Sequence, residues 1–174
     1  MIEYVLLVDE NDTNTGVMEK MQAHKEGLLH RAISIFIFND KNQLLLQQRA
    51  AKKYHSPLLW TNTCCSHPRP GEILIDAAHR RLMEEMNMAC ELLPKFSFTY
   101  KAVLDGGMIE HEFDHVFFGE SNALPEPDAD EVFDWKYMGL DEIEKEISVY
   151  PESYTSWFKL IVAKIKSIRN EHID

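Results

Sequence analysis

The sequence has few cysteines, few basic residues and no long apolar stretch. Its three cysteines, two of them adjacent at Cys64 and Cys65, cannot build a disulfide framework. No segment approaches the length that crosses a membrane, and the first residues carry neither the basic region nor the cleavage site of a secretory signal. We therefore expect a cytoplasmic protein in a reducing compartment, with at least one thiol free for chemistry.

Positive charge is also scarce, since 18 Lys and Arg face 29 Asp and Glu and give a formal net charge of −11. Nucleic acids and anionic membranes require broad basic surfaces, so both are excluded as partners. An anionic small molecule remains compatible with this balance if bound cations and a few local Lys and Arg hold it. We expect a small-molecule substrate, a divalent metal ion, and a monomer or weak homodimer.

The chain offers a sizeable core, because 45% of its 174 residues are hydrophobic. No repeat or long linker divides it, and residues 123–130 are typical of an exposed acidic loop. We predict one domain spanning residues 1–174. Its mixture of strands and helices indicates an α+β fold, an α/β/α sandwich around a mixed β-sheet.

The predicted elements follow from local patterns. A β-hairpin joins residues 33–38 to 43–48 through the turn-rich connector 39–42. Apolar residues at four-residue spacing predict a helix over 73–86, which Asn87 ends in the left-handed conformation. Further strands are predicted at 96–103, 108–118 and about 132–137, and further helices near 140–146 and 151–170.

A thiol and an imidazole lie two residues apart at Cys65 and His67, in a segment that is too rich in turn residues for regular core. In an extended chain both side chains point the same way. Such a pair alone is weak support for a site, because ordinary loop residues also fit it. It needs partners from elsewhere in the chain.

Glu110 and Glu112 supply these partners, because strand alternation places both carboxylates on one face. Either they form a solvated edge, or a cation between them offsets their repulsion. His24 and His30, on either side of a connector that contains Gly27, complete the candidate ligands. Three imidazoles and two carboxylates favour zinc, manganese, iron or cobalt over magnesium alone.

The helix over 73–86 carries two opposite-charge pairs at four-residue spacing, Arg80 with Glu84 and Arg81 with Glu85. Such pairs commonly do no more than stabilise a surface helix by a few tenths of a kcal/mol, about 0.2–0.5. The functional alternative is that Glu85 binds a second divalent ion while Arg81 meets a phosphate.

Three segments together resemble type 1 isopentenyl-diphosphate isomerases over nearly the whole chain. They are WTNTCCSHP from Trp60, GLLHRAISIFIFN from Gly27 and IEHE from Ile109. The resemblance implies a Nudix-like fold, with a degenerate Nudix box over residues 66–88. The box keeps Glu72, Arg80, Leu82, Glu84 and Glu85, whereas Ser66 and Asn87 replace its glycines and Arg81 replaces a glutamate. The arginine counts against hydrolysis by the usual carboxylate array.

The resemblance also implies site residues. One divalent ion, Mn²⁺ or Zn²⁺, would be held by His24, His30, His67, Glu110 and Glu112. Mg²⁺ bound to the substrate's diphosphate would be held by Glu85. Contacts to the substrate would come from Lys20, Arg49, Lys53 (with Lys52 as its alternative), Arg81 and Trp157.

The implied reaction interconverts isopentenyl and dimethylallyl diphosphate by adding a proton at one carbon and removing one two carbons away. It needs two acid/base groups, and we assign proton delivery to Glu112 with Tyr100 and proton removal to Cys65. Trp157 would face the cationic transition state, although its place in an apolar helical stripe is also typical of core packing. The alternatives are a Nudix-type diphosphate hydrolase and a non-catalytic metal- or diphosphate-binding protein.

Overall fold

The computed structural model describes residues 2–171, in which nine strands form one sheet and four α-helices pack around it. In chain order the strands are β1 (Tyr4–Val8), β2 (Asn14–Glu19), β3 (His30–Phe38), β4 (Gln43–Arg49), β5 (Trp60–Thr61), β6 (Cys64–Ser66), β7 (Leu92–Val103), β8 (Ile109–Glu120) and β9 (Val132–Gly139). The helices are α1 (Lys20–Glu26), α2 (Leu74–Met86), α3 (Leu140–Val149) and α4 (Ser156–Asn170).

Strand β3 organises the sheet. It pairs antiparallel with β1, β4 and β6, and parallel with β8, which in turn pairs with β7. Strand β4 carries β5 and β9 as antiparallel neighbours. Because one strand pair is parallel and the others are antiparallel, the sheet is mixed, as the sequence predicts.

The side chains of β3 are buried on both faces of the sheet. Phe36 and Phe38 belong to a core shared with α3 and α4, whereas Ile33, Ile35 and Ile37 belong to a second core shared with α2. A strand buried on both faces is a continuous apolar run rather than an alternating one. The two cores confirm the predicted α/β/α sandwich.

The predicted hairpin is confirmed, with a qualification. The N–H groups of Lys41 and Gln43 donate to Asn39 Oδ1 at 3.1 and 2.9 Å, which closes the turn. Beyond it, however, β3 and β4 pair only at Phe38 and Leu44. The strands then diverge, and the segment with β5 and β6 enters between them: β6 pairs with β3, and β5 pairs with β4.

The predicted helices are present in the structure, but the predicted start of the last helix is wrong. Helix α2 ends at Asn87 in the left-handed conformation, with φ 50° and ψ 42°. The helix predicted over 151–170 begins only at Ser156, after a short 3₁₀ turn over Pro151–Ser153. Tyr154 is extended because it bridges Trp60, and the N–H of Thr155 donates to Trp60 O at 3.0 Å.

The N-terminal elements β1, β2 and α1 had no counterpart among the predictions. Helix α1 has only seven residues, too few for a periodic signal, and ends at Gly27 in the left-handed conformation with φ 62°. The longest α-helix among residues 2–171 has 15 residues, and none is long and apolar enough to cross a bilayer.

Replacement of Leu82 by alanine should lower the free energy of unfolding by about 2–5 kcal/mol, because its fully buried side chain would leave a cavity. Met83, the next residue of α2, is 45% exposed, and its replacement by alanine should change stability by less than about 0.5 kcal/mol. Urea unfolding of both variants tests this. Equal losses of stability would contradict the burial of Leu82 and the exposure of Met83.

Candidate active site

The thiol of Cys65 lies within the sheet, because β6 pairs with β3 and sets Cys65 opposite Ser34. Its S–H donates to Asn62 Oδ1 at 2.8 Å, and the indole N–H of Trp157 donates to Sγ at 3.2 Å. Burial, reinforced by the charge of Asp114, raises the pKa of the Cys65 thiol to about 12. The thiol is therefore protonated at neutral pH.

The two strand carboxylates point into the protein. Burial alternates along β8, so that Glu110, Glu112 and Asp114 are buried on one face, as alternation predicts. Tyr100 lies opposite Glu112 on β7, and its hydroxyl is 2.6 Å from Oε2 of both Glu110 and Glu112. Burial and the nearby Glu110 charge raise the pKa of Tyr100 well above its ordinary value, so the phenol keeps its proton.

The histidines converge from three elements. His24 lies on α1, His30 begins β3 and His67 follows β6. The Nε2 atoms of His30 and His67 are 3.2 Å apart, and His67 Nε2 is 2.9 Å from Glu112 Oε1. The ligand atoms of His24, His30, His67 and Glu112 all lie within 4.8 Å of one another. Glu110 belongs to an adjoining group with His24 and His55.

This arrangement fits a divalent metal ion. His24 Nδ1 is 2.7 Å from Lys20 O, and His30 Nδ1 is 2.8 Å from Leu28 O. A carbonyl only accepts, so each Nδ1 carries a proton and Nε2 is the nitrogen left to bind a metal ion. Among the described residues, buried His24 Nε2 has no hydrogen-bond partner. Nitrogen and oxygen donors of this kind suit Zn²⁺, Mn²⁺, iron or cobalt.

The protonation states of the cluster differ from residue to residue. Burial lowers the pKa of His67 to about 3 and also lowers that of His24, with the neighbouring His30 as a further cause. Burial opposes the charge of His30 too, but the contact with Glu112 outweighs it and raises the pKa of His30. Contacts with His30 and His67 likewise overcome burial at Glu112 and hold its pKa well below the ordinary value.

A cavity of about 320 Å³ adjoins this cluster and is lined by Cys65, Tyr100, His67, Glu110 and Glu112. All residues predicted to contact the substrate also line it: Lys20, Arg49, Lys53, Arg81 and Trp157. Its volume is of the size typical of small-ligand sites.

Most cations of the cavity already have carboxylate partners. Lys20 Nζ is 2.6 Å from Glu3, Lys53 pairs with Glu131, and Arg81 pairs with Glu85. Lys52, the alternative to Lys53, pairs instead with exposed Asp130 and does not line this cavity. The geometry favours Lys53 of the two.

Glu85, the predicted Mg²⁺ ligand, lies slightly apart. Its side chain is buried in α2, where it accepts from Gln47 Nε2 at 2.9 Å and pairs with Arg81. It is not among the residues that line the cavity, but its partner Arg81 is.

The position of Trp157 is compatible with both interpretations of the sequence. It is buried in the core of α4 and also lines the cavity. Sequence reasoning missed Asn62 and His55. Asn62 stands in the quoted WTNTCCSHP segment, where its proximity to Cys65 was a usable signal; His55 follows a run of cations and gave no periodic or spacing signal.

Comparison with known proteins places this site in a family. A model of the NUDIX domain matches residues 28–158. An isopentenyl-diphosphate Delta-isomerase of Pectobacterium atrosepticum is 56% identical over 161 residues, which cover 92% of this chain and 90% of the relative. Isopentenyl-diphosphate Delta-isomerase 1 of Aromatoleum aromaticum is 53% identical and covers 98% and 97%. The chain belongs to the isopentenyl-diphosphate Delta-isomerase family.

These relatives confirm the isomerase assignment made from the sequence. Solved structures support the fold alone. The crystal structure of a Deinococcus radiodurans protein matches with a TM-score of 0.80 at 20% identity, over 93% of this chain and 98% of that one. The MutT protein of Methanosarcina mazei matches with a TM-score of 0.65 at 17% identity, over 80% and 94%. The predicted Nudix-like fold is confirmed.

Binding of Zn²⁺ or Mn²⁺ should release a proton at pH values below the raised pKa of His30, because a protonated His30 must lose the proton on Nε2 to bind a metal ion. His24 and His67, whose pKa values are lowered, are already neutral. Below the raised pKa of His30 the proton competes with the metal, so affinity falls as pH falls; above that pKa the proton release disappears. Titration calorimetry in buffers of different ionisation enthalpy measures the number of protons released. A number that stays constant from below to above the pKa of His30 would contradict the prediction.

Proposed function

We propose that this chain interconverts isopentenyl diphosphate and dimethylallyl diphosphate in isoprenoid biosynthesis, with Cys65 and Glu112 as its two acid/base groups. The observation that carries the proposal is that the Cys65 thiol and the Glu112 carboxylate, from strands on either side of β3, line one cavity together with cationic side chains. A 1,3 proton shift needs one group that gives a proton and another that takes one.

The two acid/base groups differ in protonation. Burial raises the pKa of the Cys65 thiol to about 12, so the thiol holds a proton, whereas contacts with His30 and His67 hold the pKa of Glu112 well below its ordinary value. Proton delivery by Glu112 with Tyr100 and proton removal by Cys65 stay the predicted roles. In the reverse reaction the two groups exchange roles, and the single hydroxyl proton of Tyr100 is shared between Glu112 and Glu110, whose Oε2 atoms are both 2.6 Å away.

Transfer of a proton to an alkene creates positive charge on carbon, which water would capture as an alcohol. The cavity opposes this because its aromatic wall, Trp157, is almost completely buried and excludes water from that side. A desolvated cation–π contact with the indole is worth about 2 kcal/mol. The indole N–H also fixes Sγ, so one side chain orients the thiol and faces the developing charge.

Two metal ions belong to the proposal. His24, His30, His67, Glu110 and Glu112 would hold Mn²⁺ or Zn²⁺, and the bound ion would supply the positive charge that keeps the two buried carboxylates ionised and oriented. Glu85 would hold Mg²⁺ shared with the diphosphate. Lys20, Lys53 and Arg81 would bind the diphosphate oxygens, and Arg49 would add charge beside Trp157.

Diphosphate hydrolysis is disfavoured by Arg81. Its guanidinium stands where the Nudix box has a glutamate and pairs with both Glu84 and Glu85, so the degenerate box has one metal-binding carboxylate fewer. A carboxylate array that must gather metal ions around an attacking water is poorly served by an arginine in its midst. The predicted cytoplasmic location, the single domain and the monomeric or weakly dimeric state stay predictions.

Replacement of Cys65 by alanine, or of Glu112 by glutamine, should lower kcat by about 10²–10⁴-fold, because each variant lacks one proton-transfer group. Proton NMR of isopentenyl diphosphate in D₂O, with Mg²⁺ and Mn²⁺ or Zn²⁺, follows both the product and its deuterium content. A parallel assay for released phosphate tests hydrolysis.

Cys90→Ala is the matched control, since this half-buried thiol lies beside Gly119, outside the cavity. It should turn over like the unaltered chain. If isopentenyl diphosphate stays unchanged and free of deuterium with every metal ion, the isomerase proposal is overturned. Release of phosphate would instead support a diphosphate hydrolase.

The adjacent lysines offer a second matched pair. Lys53→Ala should weaken substrate binding by about 1.5–3 kcal/mol, measured as a rise in KM, because a charged hydrogen bond to the diphosphate is lost. Lys52→Ala, which changes a side chain that is 62% exposed, should leave KM nearly unchanged. A larger rise in KM for Lys52→Ala than for Lys53→Ala would contradict the orientation of these two side chains.

A further inference from the structure

A fourth histidine lies against the predicted metal ligands. His55 belongs to the loop 50–59 between β4 and β5, lines the cavity and is only 4% exposed. Its Nε2 is 3.0 Å from Oε1 of Glu110, closer to that oxygen than His24 Nε2, at 3.8 Å. The imidazole and the carboxylate are thus both buried and within hydrogen-bonding distance of each other.

The position of His55 is fixed by several contacts. The guanidinium of Arg49, at the end of β4, donates to the carbonyl oxygens of His55 and Ser56, both at 3.2 Å, and so anchors the loop to the sheet. The ring meets Trp157 edge-on, with centroids 5.8 Å apart. Its Nδ1 lies 3.4 Å from the hydroxyl oxygen of Ser56. Backbone and side chain therefore hold one ring orientation.

The ring nitrogen that carries the proton differs between His55 and the two histidines His24 and His30. In His24 and His30 the Nδ1–H donates to a main-chain carbonyl, which leaves Nε2 to bind a metal ion. In His55 a hydroxyl that can donate faces Nδ1, and a carboxylate, which only accepts, faces Nε2. Nε2 of His55 therefore carries the proton and is a donor.

We propose that His55 is a positioning residue that holds the Glu110 carboxylate for the divalent ion and is not itself a ligand. Its Nε2–H donates to Oε1 of Glu110, while the Tyr100 hydroxyl holds Oε2 at 2.6 Å. Two donors on the two oxygens fix the plane of the carboxylate, as hydrogen bonds to metal ligands commonly do.

The neighbouring His24 points to the ion that this carboxylate serves. Its Nε2 is buried, faces Oε1 of Glu110 and has no hydrogen-bond partner among residues 2–171. The imidazole nitrogen and the carboxylate oxygen, 3.8 Å apart with no hydrogen bond between them, are placed to bind one divalent ion together. The inference about His55 rests on the metal site of the proposed function and adds a residue to its support.

The experiment is a competition titration of metal-stripped protein with Co²⁺ against a chelator. His55→Phe and His55→Ala remove the donor, and His55→Gln keeps an N–H that can reach Glu110. The first two should weaken Co²⁺ binding by roughly 10–100-fold, the usual effect of losing such a support. His55→Gln should recover most of the affinity and keep the visible absorption spectrum of bound Co²⁺, which reports its coordination.

His79→Phe is the matched control, the same change at an exposed position of α2, and should bind Co²⁺ like the unaltered chain. Thermal unfolding without metal identifies the folded variants, and His55→Ala carries the test if His55→Phe does not fold. Unaltered affinity in a folded donor-free variant would overturn the proposal. So would a His55→Gln protein that binds weakly with a shifted Co²⁺ spectrum, because His55 would then be a ligand. If the unaltered chain takes up no Co²⁺, the metal site of the proposed function fails, a result distinct from these.

Discussion

The register of β3 against its neighbours is the constraint on which the site depends. Parallel pairing with β8 sets His30 directly beside Glu112, and antiparallel pairing with β6 sets Ser34 beside Cys65. Because strand side chains alternate, a slip of one residue would turn these groups to the opposite face. The apolar residues of β3, buried in two separate cores, make such a slip costly. Core packing of β3 thus holds the chemical groups in place.

Burial of these groups carries an energetic cost. Carboxylates and imidazoles are buried together, where unpaired charge is expensive and only hydrogen bonds and ion pairs offset it. Despite burial, the contact between His30 and Glu112 raises the pKa of the imidazole and lowers that of the carboxyl, so each group favours the charged form of the other. Ion pairs offset burial in the same way along the cavity, where Lys20, Lys53 and Arg81 each pair with a carboxylate.

Much of this was accessible from the sequence. The alternation of Glu110 and Glu112, the hairpin at 39–42 and the end of α2 at Asn87 follow from local geometry that tertiary contacts do not override. Other features depend on contacts distant in the chain. Helix α4 begins late because Trp60 engages Tyr154 and Thr155, almost a hundred residues away. His55 gave no signal because only the folded loop brings it to Glu110. The raised pKa of Cys65 depends on its burial, which no pattern of residue types encodes.

The tautomers of His24 and His30 have a consequence for how the protein tolerates change. Main-chain carbonyls of Lys20 and Leu28 select which nitrogen keeps its hydrogen, and every residue type has such a carbonyl. Substituting either of those two residues alters a side chain but not the acceptor. The lone pairs offered to an ion are thus specified by the path of the polypeptide, so this part of the coordination chemistry can persist through sequence divergence as long as the turn after α1 keeps its shape.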